Sequence, residues 1–580
     1  MGNTAGTRSE SPLAADGPWI GRADVTRTWR GRDTDRAWTG HGQARGGQYG
    51  RVPDLRAPLD RVRAVLDGAD YTVDAVRGLL GPVAGGALAR DEIVPALRAT
   101  RGGSPLEALT RLFWLQVPVD VKALDAAALP VDALVAAGLA EVSGGEVRAL
   151  LHVEPLESVD GGGDGGGELG DGGMEDGDGG GEDGDGGDRC RGRDGHAGYA
   201  VSDLKVRPGS GRVVPSDHVV GAGGASGSLA RLVVHRAVDN ILDLGTGCGV
   251  QALHLAARNP SARITATDVN PRALKLAAMS FALSGADGVE LLEGPFLEPV
   301  RRRRFDLIVS NPPFVVAPSG DGGRRFTYRE SGLPGDDFCR RLVTEAPALL
   351  DDGGHVQLLA NWLHVEGVPW DERVGAWARE SACDAWIVQR EVQDPAEYAE
   401  LWLRDSCEAG TPEYHARYEA WLGHFERQGV TGVGFGWITL RRSGADRPAV
   451  RVEEIRHAVE QPAGAYVDHV LDGLAAAEKF STVCGQPVLR AAPGIVQEQI
   501  GEPGAEDPER IVLRQSGRLR RAAGVGTVEA ALASVCDGTL PLDPLLDAIA
   551  RLTGMDPDEV RAHAAAVLPE LIADGFFEVP

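Results

Sequence analysis

The 580-residue sequence lacks the features that mark membrane-spanning, secreted or metal-binding proteins. It has no apolar run of about 18 residues and no charged-then-apolar leader, so neither a membrane span nor a signal peptide is expected. Its seven cysteines are scattered and form no Cys-x-x-Cys pair, which argues against a disulfide framework or a zinc site. The thirteen histidines show no metal-ligand spacing. These absences predict a cytoplasmic protein with free thiols, no membrane partner and no bound metal.

Positive charge is also scarce. The chain has 59 lysines and arginines against 85 aspartates and glutamates, a net charge of -26. Proteins that bind nucleic acid non-specifically use cationic side chains to neutralise phosphates. The overall charge therefore argues mildly against a protein that coats duplex DNA, although a local basic face stays compatible with it.

Composition divides the chain into five segments. Residues 1–53 and 158–194 hold too few apolar residues to offset the entropy of ordering and are predicted to be disordered. Residues 54–157 show helical apolar stripes and then a hairpin pattern; this indicates either a winged-helix-like module or a plain helical adaptor. Residues 195–447 alternate strands with helices. Residues 448–580 predict a second small helical or winged-helix-like module, whose acidic end favours docking over binding to phosphates.

The alternating segment predicts a doubly wound, mostly parallel α/β sheet with helices on both faces. Its apolar runs predict strands over residues 241–244, 264–267, 289–292, 305–309, 355–359, 384–388 and 434–440. Between the last two, residues 395–428 carry aromatic side chains at helical spacing. Helices that pack these rings on the core are favoured, and a lid over an acceptor pocket is the alternative.

The most informative stretch is residues 305–314, Phe-Asp-Leu-Ile-Val-Ser-Asn-Pro-Pro-Phe. Its strand stops at Pro312 and Pro313, because prolines cannot continue a sheet ladder. Asn311 is left at the carboxyl end, where open α/β sheets bind ligands. The Asn311 amide oxygen and the Pro312 carbonyl can accept both hydrogens of a planar NH2 group, and Phe314 offers a face for stacking. The stretch predicts a site that leaves an acceptor nitrogen free to attack an electrophile.

A glycine turn lies upstream of this stretch. Residues 241–250, Ile-Leu-Asp-Leu-Gly-Thr-Gly-Cys-Gly-Val, predict a short strand, a Gly-x-Gly-x-Gly turn and a helix start. Glycine lets the backbone turn sharply and approach a ligand closely. The next strand ends at Asp268, whose carboxylate is placed to accept hydrogen bonds from ribose hydroxyls. A dinucleotide fingerprint would need glycine where Val250 stands, so a phosphate-binding purpose is not indicated.

The turn, the strand-end acid and the Asn-Pro-Pro-Phe motif, in that order, resemble the class I S-adenosylmethionine-dependent methyltransferases. Within them the chain is similar to the group with an Asn-Pro-Pro-aromatic motif: N6-adenine DNA, ribosomal guanine-N2 and release-factor glutamine methyltransferases. The resemblance covers roughly residues 200–442, and the whole chain resembles actinobacterial proteins with two flanking modules. It implies a seven-stranded Rossmann-like sheet and S-adenosylmethionine as the cofactor. It further implies an acceptor site of Asn311, Pro312, Pro313 and Phe314, and cofactor contacts from Asp243, Gly245, Thr246, Gly247, Gly249, Asp268, Val269, Phe296 and Asn311.

Three hypotheses on function remain open at this point. The acceptor is the exocyclic amine of a nucleic-acid base, in RNA more than in DNA, which Phe314 favours because the glutamine enzymes more often carry tyrosine there. Alternatively, the acceptor is a protein glutamine amide, for example in a translation factor, which the acidic surface favours. The third hypothesis is a non-catalytic protein that keeps the cofactor fold as a scaffold. The sequence leaves the oligomeric state open.

Overall fold

The structure is a computed structural model that describes residues 55–159, 196–205, 214–318, 327–329, 331–404, 410–480, 487–503 and 508–580. The predictions of disorder for residues 1–53 and for most of 158–194 lie outside these residues.

The first described segment is helical and ends in a small sheet. Leu59, Val62 and Leu66 recur at helical spacing and are buried, which gives the first helix its core-facing side. A three-stranded antiparallel sheet of order β1-β3-β2 follows. The elements are α1 (Arg56–Gly68), α2 (Val73–Leu88), α3 (Val94–Ala99), α4 (Pro105–Leu109), β1 (Val119–Asp120), α5 (Val121–Ala126), α6 (Val131–Ala136), β2 (Ala140–Ser143) and β3 (Glu146–Ala149).

A two-stranded antiparallel ribbon leads into the main sheet. Its strands are β4 (Leu151–Glu157) and β5 (His196–Asp203), which pair along most of their length. The Gly/Asp-rich segment joins these strands in sequence. The predicted boundaries at 157/158 and 194/195 therefore divide one ribbon between two modules.

The main sheet has eight strands in the order β13-β11-β12-β10-β9-β6-β7-β8. All its strands are parallel except β12, which is antiparallel to both neighbours. This confirms the predicted doubly wound α/β class. The elements are α7 (Gly224–Leu232), β6 (Asn240–Leu244), α8 (Val250–Arg258), β7 (Arg263–Asp268), α9 (Pro271–Ser284), β8 (Glu290–Glu293), β9 (Phe305–Ser310), α10 (Asp337–Glu345), β10 (Leu350–Val365), α11 (Trp370–Glu380), β11 (Asp384–Gln393), α12 (Pro395–Arg404), α13 (Pro412–Arg427), β12 (Val430–Arg441) and β13 (Val450–Glu454).

Successive side chains of the central strands pack into two separate hydrophobic cores. In β9, Leu307 and Val309 belong to the core that contains α8 and α9, whereas Ile308 between them belongs to the core that contains α10 and α11. Side chains of a strand alternate between the two faces of a sheet, so burial on both faces requires a continuous apolar run. This requirement explains why the apolar run of β9 allowed the strand to be predicted from the sequence.

The sheet has one strand more than the seven expected, and the additional strand is β13. It pairs in parallel with β11 and places the sheet edge beyond the predicted boundary at 447/448. Its sequence, Val-Arg-Val-Glu-Glu, is only partly buried, because an edge strand has one neighbour. Such a strand lacks the apolar run that marks the central ones.

Ribbon strand β5 is held against α9 by two serine hydroxyls. Backbone N–H groups of Tyr199 and Val201 donate to the Oγ atoms of Ser284 and Ser280, each at 2.8 Å. Residues two apart on a strand and four apart on a helix have similar spacings, so the two bonds form side by side. Gly198 allows the close approach, since a Cβ there would lie 2.7 Å from Ser284 Oγ.

The C-terminal segment is more sheet-rich than predicted. Among its described residues are four helices and two three-stranded sheets, β18-β14-β19 and β15-β16-β17. Its strands are short and partly exposed, so they carry no continuous apolar signal. The elements are α14 (Val467–Phe480), β14 (Val488–Ala491), β15 (Ile495–Ile500), β16 (Arg510–Gln515), β17 (Ala522–Val525), α15 (Thr527–Val535), β18 (Asp537–Pro541), α16 (Leu542–Thr553), α17 (Pro557–Ala573) and β19 (Phe577–Glu578).

Candidate functional site

Three parallel strands bring the predicted site residues to one edge of the sheet. Leu244 at the end of β6 is in register with Thr267 on β7 and with Ser310 on β9. The residues that follow, Gly245, Asp268 and Asn311, therefore leave the sheet at the same level. The Ser310 hydroxyl donates to the Leu244 carbonyl at 2.8 Å and ties two of these strand ends together. The glycine turn and the Asn-Pro-Pro-Phe segment are thus neighbours.

The glycine turn is shaped by its backbone. Gly245, Gly247 and Gly249 have φ angles of 73°, 57° and 92°, a region that side chains disfavour. A Cβ on Gly249 would lie 2.6 Å from the ring of Phe281, so this glycine permits close packing. At Gly245 and Gly247 a Cβ would meet nothing within 4 Å. The turn therefore offers bare backbone to open space.

Asp268 anchors the turn and still faces the site. Its Oδ2 accepts from the Gly247 N–H at 2.9 Å and its Oδ1 from the Asn270 N–H at 2.8 Å. Desolvation raises the pKa of this carboxyl above its ordinary value despite these hydrogen bonds. Each carboxylate oxygen accepts two hydrogen bonds, so acceptor capacity remains for a ligand hydroxyl.

Asp243 lies beneath the turn. Its Oδ2 accepts from the Thr246 hydroxyl at 2.6 Å and from the Ala252 N–H at 3.1 Å. Its Oδ1 is buried and has no hydrogen-bond partner in the described part of the chain. Burial, aided by the charge of Asp268, raises the pKa of Asp243 to about 6. The two acids thus form a locally uncompensated negative site.

Cys248, in the same turn, is no candidate nucleophile. Burial raises the pKa of its thiol to about 12, so it stays protonated near neutral pH.

Two apolar residues flank the acid at the end of β7. Val269 directly follows the buried strand β7, yet its apolar side chain is 53% exposed. Phe296 follows β8 with a φ of 51°, and its ring packs edge to face on Phe338 with centroids 5.5 Å apart. The Arg341 guanidinium lies 4.6 Å from the Phe296 ring centroid. Val269 is therefore open to a ligand, whereas Phe296 is largely engaged by α10.

The side chain of Asn311 is oriented by α7. Its Nδ2 donates to Ser226 Oγ at 3.3 Å. The Ser226 carbonyl accepts from Gln251 Nε2 at 2.8 Å, which ties α7 to α8 behind the glycine turn. No described residue donates to the Asn311 amide oxygen or to the Pro312 carbonyl. Both predicted acceptors are thus left for another group.

The rest of the motif runs from the sheet edge towards α12. Pro312 is buried and Pro313 half-buried. Phe314 is half-buried and meets Trp402 edge to face, with centroids 6.5 Å apart. Helices α12 and α13 bury Tyr398, Trp421 and Phe425 in one cluster, which also contains Val315 and Val316. The rings pack inward, as the favoured interpretation of residues 395–428 has it, and the lid over an acceptor pocket stays a prediction.

Asp336 directly precedes α10 but does not cap it. Its side chain makes no capping bond at the start of α10. Instead Oδ2 accepts from the Leu363 N–H at 2.8 Å and from Arg373 at 2.6 Å, and Oδ1 also accepts from Arg373 at 2.6 Å. This buried bidentate pair is structural.

Sequence reasoning missed three residues that support the site: Ser226, Tyr398 and Glu154. Glu154 is buried on β4, where Oε2 accepts from the Ala222 N–H at 3.1 Å and Oε1 from Lys205 Nζ at 3.2 Å. Desolvation raises the pKa of Glu154. Ser226 lies in a glycine-rich stretch of sequence, and Tyr398 is one of the aromatic residues noted over residues 395–428. The contacts that Tyr398 and Glu154 make span long sequence separations, and nothing local indicates them.

Neither a metal site nor a membrane span emerges from the described residues. They contain no group of three or more His, Cys, Asp or Glu side chains arranged to hold an ion. None of the helices among them is both long and apolar enough to cross a membrane.

Two family models match separate parts of the chain. Residues 223–364 match the methyltransferase small domain, and residues 68–150 match a domain of unknown function (DUF7059). The first match contains the glycine turn, Asp268 and the Asn-Pro-Pro-Phe segment. The expected resemblance to S-adenosylmethionine-dependent methyltransferases is confirmed for this region, and S-adenosylmethionine is the methyl donor of those enzymes.

Curated relatives match the same kind of domain. A release factor glutamine methyltransferase of Geobacter sulfurreducens is 37% identical over 160 residues, which cover 26% of this chain and 53% of the relative. A ribosomal protein uL3 glutamine methyltransferase of Bradyrhizobium diazoefficiens is 35% identical over 141 residues, which cover 23% of this chain and 44% of the relative. The chain thus spans about half the length of the curated relatives it matches.

Among solved structures, a phosphoethanolamine N-methyltransferase of Haemonchus contortus in complex with S-adenosylhomocysteine aligns with a TM-score of 0.24 at 13% identity. The alignment covers 37% of this chain and 51% of that one, and a likeness this weak carries no argument.

Proposed function

We propose that the chain is an S-adenosylmethionine-dependent N-methyltransferase whose acceptor is a glutamine side-chain amide of a protein. The observation that carries the proposal is the hydrogen bonding of the Asn311 side chain. Its Nδ2 is committed to Ser226, while its oxygen and the neighbouring Pro312 carbonyl have no donor among the described residues. Two acceptors at the edge of the sheet, beside the glycine turn, fit both hydrogens of one planar NH2 group.

The residues around the turn fit the cofactor. Asp268 has acceptor capacity for ribose hydroxyls, and the exposed Val269 beside it offers an apolar surface for adenine. Gly245 and Gly247 leave room for the methionine part. The raised pKa values of Asp243 and Asp268 mean that the protein compensates these charges poorly, and a cationic ligand would stabilise both carboxylates.

When bound, S-adenosylmethionine supplies a methyl group on a positively charged sulfur. The task left to this chain is placement, which alone contributes much of the acceleration in such transfers. An amide nitrogen is a poor nucleophile because its lone pair is delocalised. Hydrogen bonds from that nitrogen to Asn311 and Pro312 strengthen as it gains positive charge, so they lower the barrier.

A glutamine acceptor is favoured over the nucleobase amine, the first of the sequence hypotheses. An amide and a base amine both present a planar NH2 group, so the two acceptors, Asn311 and the Pro312 carbonyl, do not separate them. The two relatives reported above are named for glutamine acceptors in proteins. The net charge of -26 also disfavours a phosphate-rich partner. A translation-factor acceptor implies a cytoplasmic protein.

The test is methyl transfer from tritiated S-adenosylmethionine by the purified full chain. Separate reactions contain a bacterial release factor, ribosomal protein uL3, ribosomal RNA or DNA. We expect label in a protein, on a glutamine that mass spectrometry shows to carry one extra methyl group. Label in RNA or DNA would reject the glutamine proposal. Binding of the cofactor without transfer to any of the four would favour the non-catalytic scaffold.

Asn311→Ala tests the acceptor role directly. We expect a loss of transfer on the order of 100-fold, as when one transition-state hydrogen bond is removed elsewhere. Asn240→Ala is the matched control, because Asn240 begins β6 at the opposite edge and its Oδ1 accepts from Arg263 at 3.0 Å. Full transfer by Asn311→Ala would contradict the proposed site.

A further inference from the structure

The helix pair α12–α13 contacts the acceptor motif although it lies outside the region of family similarity. It is inserted between β11 and β12, beyond the matched residues 223–364. Its central residue, Tyr398, has a side chain with no exposure to solvent. The rings of Trp402, Trp421 and Phe425 all lie within 6.3 Å of the Tyr398 ring, centroid to centroid. The position of this hydroxyl is therefore fixed by packing.

The Tyr398 hydroxyl accepts two hydrogen bonds from the edge of the site. The Val316 N–H donates to it at 2.9 Å, and Asn361 Nδ2 at 3.1 Å. Val316 is fully buried and Asn361 is 2% exposed, so neither donor has water as an alternative. Without the hydroxyl both donors would be buried and unpaired, which is costly.

The same helix holds the motif at two further points. The Val315 N–H donates to the Arg329 carbonyl at 3.0 Å, and Arg329 Nη1 donates to the Trp402 carbonyl at 2.9 Å. Phe314 meets the Trp402 ring edge to face. Upstream, the motif is tied to β6 through the bond from Ser310 to Leu244. The segment from Asn311 to Val316 is thus fixed at both ends.

We infer that Tyr398 is a positioning residue for the acceptor site, which holds Asn311 and the Pro312 carbonyl in place through the Val316 N–H. The inference rests on the proposed function. The two prolines stiffen the segment, so a shift at Val316 is passed back to the Pro312 carbonyl rather than absorbed. Small displacements of groups that orient a reacting nitrogen reduce transfer strongly.

Tyr398 takes no part in proton transfer. Burial raises the pKa of its hydroxyl far above the ordinary value, so the group stays neutral at all working pH values. Its contribution is geometric, and it is separable from cofactor binding because its two donors belong to Val316, which follows the motif, and to Asn361 on β10, not to the glycine turn.

The test compares Tyr398→Phe with Tyr418→Phe in the full chain. Tyr418 lies on α13 and donates to Glu400 Oε1 at 3.0 Å, so its variant loses one hydroxyl from the same helix pair without touching the motif. Three quantities are measured: hydrogen exchange over residues 311–317, kcat for transfer to whichever of the release factor and uL3 is labelled by the wild type, and Kd for S-adenosylmethionine by calorimetry.

For Tyr398→Phe we expect faster exchange over residues 311–317, a kcat lower by about tenfold, and an unchanged Kd. Tyr418→Phe should change none of the three. Unchanged exchange, or faster exchange with unchanged kcat, would overturn the inference. A parallel loss of cofactor affinity would also overturn it, since that indicates general disruption.

Two controls distinguish failure of the inference from failure of the proposed function and from misfolding of the variant. If the wild-type chain binds the cofactor but labels neither the release factor nor uL3, the proposed function fails, and exchange over residues 311–317 still decides whether Tyr398 holds the motif. If Tyr398→Phe fails to fold, Asn361→Ala replaces it. This variant removes one of the two donors, and we expect a kcat reduction of about threefold. Wild-type exchange and kcat in Asn361→Ala would then refute the inference.

Discussion

Asn311 and Ser226 are joined by a hydrogen bond of 3.3 Å from Nδ2 to Oγ. The two residues are 85 positions apart in sequence, on β9's carboxyl end and on α7. The bond gives the Asn311 nitrogen a partner within the protein. It leaves the Asn311 oxygen, which the proposed transfer uses, without a donor among the described residues.

Ser226→Ala is expected to lower kcat by about five- to tenfold, because the Asn311 amide loses the partner that orients it. The cofactor Kd should change little. Transfer kinetics and calorimetry measure the two effects. Ser228→Ala, a serine replacement on the same helix, is the control, and wild-type kcat in Ser226→Ala would show that the amide is oriented by something else.

Asp268→Ala is expected to weaken S-adenosylmethionine binding by roughly 100-fold, since charge-assisted hydrogen bonds to a ribose are lost and the turn loses an anchor. Asp306→Ala is a close control. Asp306 also accepts from two backbone N–H groups, those of Asp239 and Asn240 at 3.0 and 2.9 Å, but at the opposite edge of the sheet. Calorimetry should give a much higher Kd for S-adenosylmethionine in Asp268→Ala than in Asp306→Ala. Equal Kd values in the two variants would contradict the assignment of Asp268 to the ribose.

Asp243 predicts a pH dependence of stability. Its pKa is about 6 in the folded chain against an ordinary 3.8, so between about pH 4 and 6 the folded state holds a proton that the unfolded state has released. Stability must therefore fall as pH rises through this window and level off above it, by up to about 3 kcal/mol.

Asp243→Asn keeps an acceptor oxygen for Thr246 and Ala252 but removes the titration. Urea unfolding at several pH values should show a shallower decline between pH 4 and 6 than in the wild type. An identical decline in both proteins would assign the dependence to other groups.

Glu154→Ala is expected to reduce both cofactor affinity and transfer, because the Ala222 N–H loses its buried acceptor and the segment leading to Ser226 loosens. Glu154→Gln keeps an acceptor and should retain most activity. Glu157→Ala serves as the control on the same strand, since Glu157 pairs with the partly exposed Arg77 and Arg231. If Glu154→Ala behaves like Glu157→Ala, the ribbon does not support the site.

The sequence predicted the sheet because its central strands leave strong local signals. β9 was expected at residues 305–309 and runs to Ser310, since burial on both faces demands a continuous apolar run and the prolines mark its end. β13 and β15 were missed because partly exposed edge strands carry few apolar residues.

The candidate site likewise has residues that the sequence predicted and supporting contacts that it did not. Glycine turns and strand-end acids are encoded locally, so Gly245, Asp268 and Asn311 could be placed at one edge from sequence. Their supports could not. The contacts from Tyr398 to Val316 and from Glu154 to Ala222 span 82 and 68 positions, and nothing near either residue indicates its partner.

The two serine hydroxyls of α9 have a consequence for solubility. An unpaired strand edge recruits strands from other molecules. On β5 the N–H groups of Tyr199 and Val201 end on Ser284 and Ser280, so that edge offers no template for intermolecular growth. Both strand residues are buried, so removing the two hydroxyls would leave two buried N–H groups unpaired and weaken the cover that α9 gives this edge.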